Sequence, residues 1–202
     1  MNDVAPRFPD YDVLAKRNTP SWNAQTRAVV DRRLAMRTEP VFFDPMEWRT
    51  LQALCERILP QPSGRRAVPI AAMIDHKMEA DQRDGFRHAS MPPQREAWRR
   101  GLAALDQEAH DAYGAPFHAL PGSDQDALLH KIEKGEARST AWDDMPADRF
   151  FASRVLHDVS SAYYAHPTAW NEIGFGGPAS PRGYVRMDFD RRDPWEAVAR
   201  HD

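Results

Sequence analysis

SAYYAHPTAWNEIGFGGPASPRGYVRMDFDRRDPW, residues Ser161 to Trp195, is the stretch around which the chain is organised. It begins as the end of a helix, and four glycines and two prolines then follow between Gly174 and Gly183. Because neither a helix nor a regular strand can run through such a sequence, we expect an irregular segment after Pro167. Its tyrosines, tryptophans and phenylalanines would bury much apolar area, which favours an ordered loop over a flexible tail.

The middle of the chain carries the pattern of an α-helical core. Asp44 is a suitable N-cap, Pro45 suits the first helical position, and Glu47 completes a capping box before apolar residues at helical spacing. Pro60 ends this helix. Comparable start and stop signals predict helices over about residues 21–36, 45–59, 69–81, 92–113, 123–135 and 146–166, and no segment predicts a strand.

The first twenty residues, which include three prolines, predict an extended arm. The helix that Ser21 is placed to cap is mostly charged, so it either lies in solvent with few packed side chains or lies on a partner. We therefore expect an all-α protein of five to six helices. The expected segments are an N-terminal arm and helix (1–43), a helical core (44–166) and an irregular C-terminal segment rich in glycine, proline and aromatic residues (167–202).

Composition and charge limit the classes of function. A chain of 202 residues, 42% of them hydrophobic, allows one small domain with a modest core. A net charge of -3, with acids and bases mixed along the chain, gives no basic surface for nucleic acid. No apolar run reaches the roughly 20 residues that cross a bilayer. We therefore expect neither nucleic-acid binding nor insertion into a membrane.

No motif indicates a catalytic, cofactor-binding or metal site in this chain. The glycines of GFGGPASPRG, residues 174–183, follow a helix and open no amphipathic helix, unlike a dinucleotide-binding fingerprint. The histidines lack the helical spacing that would place two imidazoles on one metal ion. The single cysteine, Cys55, has apolar neighbours that predict a buried side chain.

Residues Tyr163 to Glu196, read as YYAHPTAWNEIGFGGPASPRGYV followed by DRRDPWE, resemble the C-terminal signature of the gluconate 2-dehydrogenase subunit 3 family. LCERILP, at Leu54 to Pro60, and the helical middle also resemble this family. Its members are the small, non-catalytic gamma subunits of bacterial sugar and polyol dehydrogenases, whose large subunit is an FAD-containing flavoprotein of the glucose-methanol-choline (GMC) class.

The resemblance implies an accessory subunit without a cofactor of its own, in a heterodimer with the flavoprotein that holds FAD. Such a subunit would bind the large subunit and stabilise it or help to assemble it. A cytochrome c subunit or another electron acceptor is a further expected partner.

The aromatic C-terminal segment is the expected partner interface, because tyrosine, tryptophan and arginine with glycine and proline hinges are typical of interface anchors. Two interpretations stay open: the segment lies across another protein, or it folds back and completes the core of its own chain. For His166, a structural role as a cap at a helix end comes before a partner contact. The expected interface residues are Tyr163, Tyr164, His166, Trp170, Asn171, Phe175, Gly176, Gly177, Arg182, Tyr184, Trp195 and Trp22.

An alternative function is a stand-alone helical enzyme that uses His166 with Tyr163 or Asn171 as acid–base groups. A flavoprotein gene beside the gene for this chain would favour the subunit. The first forty residues lack the apolar core of an export signal, although many members of the family begin with a twin-arginine signal. We therefore expect a cytoplasmic protein, or a periplasmic one that is exported together with a signal-bearing partner.

Overall fold

The computed structural model describes residues 7–61, 67–178 and 193–199, which contain eight α-helices and no β-strand. The all-α fold predicted from the sequence is confirmed. Among the described helices, none is long and apolar enough to span a lipid bilayer. The helices are α1 (Ala24–Leu34), α2 (Pro45–Ile58), α3 (Ile70–Glu79), α4 (Gln94–Tyr113), α5 (Gly122–Glu133), α6 (Ala147–Phe150), α7 (His157–Ala165) and α8 (Pro167–Ile173).

The local signals place most helix ends correctly. Asp44 accepts hydrogen bonds from the backbone N–H groups at the start of α2, and Glu47 closes the predicted capping box. Gly114 ends α4 with a left-handed φ of 75°, which glycine adopts without a steric penalty. The helix predicted over residues 146–166 is divided, because a π-helical turn, Phe151–Leu156, separates α6 from α7.

The described helices exceed the five to six that we expected, partly because α8 lies in the segment predicted to be irregular. Pro167 ends α7, but it also occupies the first position of α8, where a missing N–H group costs nothing. Gly174, with a φ of 66°, ends α8, and residues 175–178 are irregular as predicted. A proline can therefore separate two helices without ending helical structure.

The N-terminal arm also departs from the prediction. Val13–Asn18 form a 3₁₀ helix instead of an extended arm, and two of its side chains are buried. The cap of α1 is Asn23, whose side chain accepts a hydrogen bond from the Thr26 N–H group, and not Ser21. The prediction of Ser21 was wrong because serine and asparagine are both good caps, and the local pattern does not decide between them.

The chain divides into two compact units, which are described separately. The terminal unit comprises the described residues of Met1–Met36, Arg65–Val68 and Tyr163–Asp202. The central unit comprises the described residues of Arg37–Gly64 and Pro69–Ala162. The terminal unit is therefore built mainly from the two ends of the sequence, with a short stretch between α2 and α3.

The core of the central unit is built on α2 and α4. Gly101 of α4 lets the Phe150 ring approach closely, since a β-carbon at this position would lie 2.2 Å from the ring. Phe150 also packs edge-on against Trp98, with the ring centres 5.5 Å apart. Cys55 of α2 is buried as predicted, and burial raises the pKa of its thiol.

Buried carboxylates on helices hold the irregular segments of the central unit. Asp75 of α3 accepts hydrogen bonds from the backbone N–H groups of Val41, Phe42 and Phe43, at 2.7, 3.1 and 2.9 Å. Glu108 of α4 likewise accepts hydrogen bonds from three N–H groups of the segment that precedes α6. These bonds give partners to backbone N–H groups and, at Glu108, to the indole N–H group of Trp142.

We expect Asp75→Ala to lower the free energy of unfolding by about 3 kcal/mol, because it leaves several N–H groups without an acceptor. The control is Asp126→Ala, which removes an exposed carboxylate that pairs with Arg57 and should cost less than about 1 kcal/mol. Urea unfolding followed by circular dichroism measures both changes. Equal losses in the two variants would contradict a special role for Asp75.

Candidate partner interface

The terminal unit contains every described residue that the sequence assigned to a partner interface. Arg182 and Tyr184 lie outside the described residues. The remaining candidates come from the N-terminal stretch, from the end of α7 through Gly177, and from the residues around Trp195. Tertiary structure thus gathers them within one unit, but it gives them different roles.

The two largest candidates, Trp22 and Trp170, form a core cluster with Val13 and Val30. Each tryptophan is only 2% exposed. The Trp170 indole N–H donates a hydrogen bond to the backbone carbonyl of Tyr164, at 2.6 Å. Both tryptophans are therefore core residues of their own chain and not exposed anchors, and at Trp170 the C-terminal segment completes the core of its own chain.

Tyr163, His166 and Asn171 are also held within the terminal unit. The His166 Nδ1 atom accepts a hydrogen bond from the Thr168 N–H group at 3.2 Å, which caps the start of α8. The prediction of a capping role is correct, but the cap is at a helix start and not at a carboxyl end. The Asn171 side-chain oxygen accepts from the Val13 N–H group at 2.8 Å, and the Tyr163 hydroxyl donates to a carboxylate of α8.

Gly176 and Gly177 are buried because other groups occupy the space that side chains would need. Gly177 has a φ of 67°, and a β-carbon there would lie 3.1 Å from the Trp170 ring and 3.3 Å from the Trp22 ring. A β-carbon on Gly176 would lie 2.6 Å from the Lys16 Nζ atom. The two glycines thus allow the chain to pass closely over the core cluster.

Lys16 is a residue that the sequence analysis missed. Its side chain is buried, and its ammonium group donates hydrogen bonds to the Gly176 carbonyl at 3.0 Å and to the Glu196 carboxylate at 2.6 Å. A lysine in a polar N-terminal stretch gives no sequence signal of burial. Nearby, the Trp195 indole N–H donates to the Ser21 hydroxyl at 3.1 Å.

Helix α1 packs within the terminal unit through a few side chains, with Thr26 and Val30 buried, which agrees with the first of the two expectations. Arg33 donates a hydrogen bond to the Ala165 carbonyl at 2.7 Å, which satisfies the end of α7. Its guanidinium group lies 6.0 Å from the centre of the Trp170 ring. Burial, with a smaller contribution from Arg32, lowers the pKa of Arg33.

Other apolar side chains of the terminal unit face solvent. Tyr164 is 53% exposed, Phe175 is 40% exposed, and Ile173 at the end of α8 is 47% exposed. Val198, in the C-terminal stretch, is 68% exposed. The sequence indicated Tyr164 and Phe175, but nothing in the local pattern distinguished Ile173 or Val198.

A groove of about 470 Å³ lies between the N-terminal and C-terminal stretches of this unit. Tyr11 and the half-buried Trp195 give it aromatic walls. Asp10 and Asp12 add negative charge, whereas the carboxylate of Glu196 is paired with Lys16. Such a groove suits an apolar or positively charged side chain of another protein. The full lining is Pro9, Asp10, Tyr11, Asp12, Ala15, Pro194, Trp195, Glu196, Val198 and Ala199.

The sequence model of gluconate 2-dehydrogenase subunit 3 matches residues 45–177, about two thirds of the chain. The chain belongs to this family. The match includes α2 and extends to Gly177, whereas residues 178–196, which also carried the resemblance, lie beyond it. No curated protein and no solved structure matches the chain.

Membership of the gluconate 2-dehydrogenase subunit 3 family makes this chain a component of a dehydrogenase complex and implies partner subunits. The matched range contains the exposed Tyr164, Ile173 and Phe175 as well as the buried Trp170. The family region therefore includes both a core and an exposed apolar surface of the terminal unit.

One group of the central unit has the side chains of a metal site. Ligand atoms of Asp84, His157 and Asp158 lie within 4.8 Å of one another. The carboxylates, however, already bind cations of the chain, since Lys77 contacts Asp84 at 2.6 Å and Asp158 at 2.8 Å. Arg154 contacts Asp84 at 2.8 Å. These ion pairs favour a structural network over a metal centre.

The ion pairs also determine the acidity of Asp84. Burial acts to raise the pKa of its carboxyl, but hydrogen bonds from Lys77 and Arg154 outweigh burial and hold the pKa below its ordinary value. The carboxylate therefore stays charged across the neutral range and keeps its two cations in place.

We expect Trp170→Ala to lower the free energy of unfolding by about 3 to 5 kcal/mol, because it leaves a cavity in the core of the terminal unit. Ile173→Ser is the control from the same helix, and its exposed side chain should cost less than about 1 kcal/mol. Thermal unfolding followed by circular dichroism compares the variants. A Trp170→Ala protein as stable as wild type would show that this tryptophan is not a core residue.

Proposed function

We propose that this chain is the non-catalytic small subunit of a bacterial FAD-dependent dehydrogenase of the GMC class, which acts on a sugar or a polyol. In this proposal it binds the flavoprotein subunit and stabilises it or helps to assemble it. The observation that carries the proposal is the match to gluconate 2-dehydrogenase subunit 3 over residues 45–177. The exposed apolar surface and the groove of the terminal unit support it.

The chemistry of that surface is typical of a protein interface. Aromatic and aliphatic side chains supply the apolar area that association removes from water, and a rim of charged groups selects the partner. Val198 and Ile173 are exposed and make no large contribution to the core of their own unit. Asp10 and Asp12 favour a flavoprotein surface with arginine or lysine at the position that enters the groove.

The groove is also pre-organised for binding. Lys16 ties Glu196, which lines the groove, to the N-terminal 3₁₀ helix, and Trp195 is tied to Ser21. The Tyr11 hydroxyl donates a hydrogen bond to the Phe175 carbonyl at 3.1 Å. Because these bonds already order the walls of the groove, little conformational entropy remains to be lost on association.

In this proposal FAD belongs to the partner subunit. The glycine run of this chain does not suit a dinucleotide, because Gly174 ends α8, whereas a diphosphate binds at the start of a helix. Gly176 and Gly177 face Lys16 and Trp170, which occupy the space beside the backbone. No step of flavin chemistry is therefore assigned to residues of this chain.

A stand-alone enzyme that uses His166 with Tyr163 or Asn171 stays the second candidate. His166 caps α8, Asn171 holds the 3₁₀ helix through Val13, and Tyr163 binds Glu172. All three side chains thus make bonds that support the terminal unit. In a binding subunit these bonds only have to keep the terminal unit folded. An acid–base role would require at least one of the bonds to break during turnover.

The test of the proposal is co-expression of the chain with the GMC-class flavoprotein encoded beside its gene. We expect the two proteins to co-purify at a fixed ratio, and the flavoprotein to contain more FAD than when it is made alone. Val198→Asp and Ile173→Ser should each weaken the complex about tenfold or more, because they alter exposed apolar contacts. Tyr113→Ser, a partly exposed position of the central unit, is the matched control.

Two results would end the proposal. One is a flavoprotein that does not bind the chain, and the other is a flavoprotein whose stability and FAD content are the same with and without the chain. Conversion of a sugar or polyol by the purified chain alone would favour the stand-alone enzyme.

The proposal extends to location and to electron transfer. We place the subunit in the cytoplasm, or in the periplasm after export together with a signal-bearing flavoprotein, with a cytochrome c subunit or another acceptor as a further partner. Cell fractionation with and without the flavoprotein gene tests the location. Co-export predicts that the chain is periplasmic only when the gene is present, and periplasmic accumulation without it would contradict co-export.

A further inference from the structure

The loop between α3 and α4 exposes a phenylalanine on the central unit. All ten residues from Asp81 to Ser90 are exposed. Phe86, near the middle of this loop, is 79% exposed, which is the highest value among the exposed large hydrophobic side chains of the described residues. Single exposed apolar residues are common on protein surfaces, so exposure by itself does not indicate a function.

This loop differs from an ordinary surface loop because side-chain bonds hold it both before and after Phe86. On one side, Asp84 binds Lys77 at 2.6 Å and Arg154 at 2.8 Å, and Lys77 also binds the buried Asp158. On the other side, the Arg87 guanidinium donates a hydrogen bond to the carbonyl of Met91, whose side chain is buried. Phe86 therefore projects from an anchored loop.

The backbone next to Phe86 requires glycine. Gly85 has a φ of 77°, in the left-handed region, and no atom of another residue lies close to the space that its side chain would occupy. Glycine is therefore needed here for the backbone conformation of the turn, and not because a neighbouring atom excludes a side chain. Asp81 also has a positive φ, of 47°, and its carboxylate binds Arg83 at 2.8 Å.

The loop presents positive charge beside the exposed ring. Asp81 and Arg83 neutralise each other, and Asp84 and Asp158 are paired with Lys77 and Arg154. Within the described residues, the bond that Arg87 makes goes to an uncharged carbonyl, so its charge is not neutralised. Aromatic residues and arginine are both enriched in protein interfaces relative to the rest of the surface.

We propose that Phe86 and Arg87 form a second contact with the flavoprotein subunit, in which Phe86 enters an apolar pocket whose rim carries carboxylates. This inference rests on the proposed function, because it assumes that the flavoprotein is the partner. The anchored loop avoids much of the entropy cost of ordering on association. Its charge is opposite to that of the groove on the terminal unit, so the two surfaces select different parts of the partner.

The test measures the affinity of purified variants for the flavoprotein encoded beside the gene, by biolayer interferometry. We expect Phe86→Ser to raise the dissociation constant about 30-fold, as for a central interface residue, without changing the melting temperature. Phe86→Leu should recover most of the affinity, because it keeps most of the apolar contact. Tyr113→Ser, with a partly exposed ring on the same unit, should bind as wild type does.

A further variant tests the role of charge. If carboxylates surround the pocket, Arg87→Glu should weaken binding more at low ionic strength than at high ionic strength. Its melting temperature is recorded as well, because Arg87 also holds the loop through Met91.

The outcomes separate this inference from the proposed function. If Val198→Asp weakens binding and Phe86→Ser does not, the second contact is wrong and the proposed function stands. If the wild-type chain does not bind the flavoprotein at all, the proposed function fails first. If Phe86→Ser instead abolishes dimerisation of the chain or its binding to anionic lipid vesicles, with unchanged affinity for the flavoprotein, the loop serves that other surface and the inference is overturned.

Discussion

The terminal unit depends on one buried charge, the ammonium group of Lys16. Burying a charge costs free energy unless the charge is paired and hydrogen-bonded. Lys16 meets this requirement with the carbonyl of Gly176 and the carboxylate of Glu196, which lie 160 and 180 residues away in the sequence. The pairing therefore joins the N-terminal 3₁₀ helix to the turn that follows α8 and to the C-terminal stretch.

This constraint explains how the aromatic residues are divided. The chain that follows α8 has to pass close to Lys16, which places Gly177 over the rings of Trp22 and Trp170 and buries them. Ile173 and Phe175 of the same stretch stay partly exposed, although the Phe175 ring packs edge-on against Trp170. The surface available to a partner is thus formed by neighbours of the core tryptophans and not by the tryptophans themselves.

The central unit applies the same physical rule with the opposite charge. Asp75, Glu108 and Asp158 are buried carboxylates, and each is satisfied by N–H groups or by a cation. Asp75 and Glu108 order irregular segments by accepting hydrogen bonds from backbone N–H groups that have no partner within a helix. Because the network around Asp158 and Asp84 holds the loop after α3, Phe86 can be exposed while its backbone is fixed.

The sequence by itself determined the structural features that depend on residues within one or two helical turns of each other. The capping box of Asp44 and Glu47, the end of α4 at Tyr113 and the burial of Cys55 were predicted from local patterns, and sequence motifs indicated the family. Only the tertiary structure decided which aromatic side chains are buried, that a further helix, α8, begins at Pro167, and that Lys16 is buried. Burial is decided by partners far away in the sequence, and a lysine or tryptophan carries the same local pattern whether or not the chain returns to cover it.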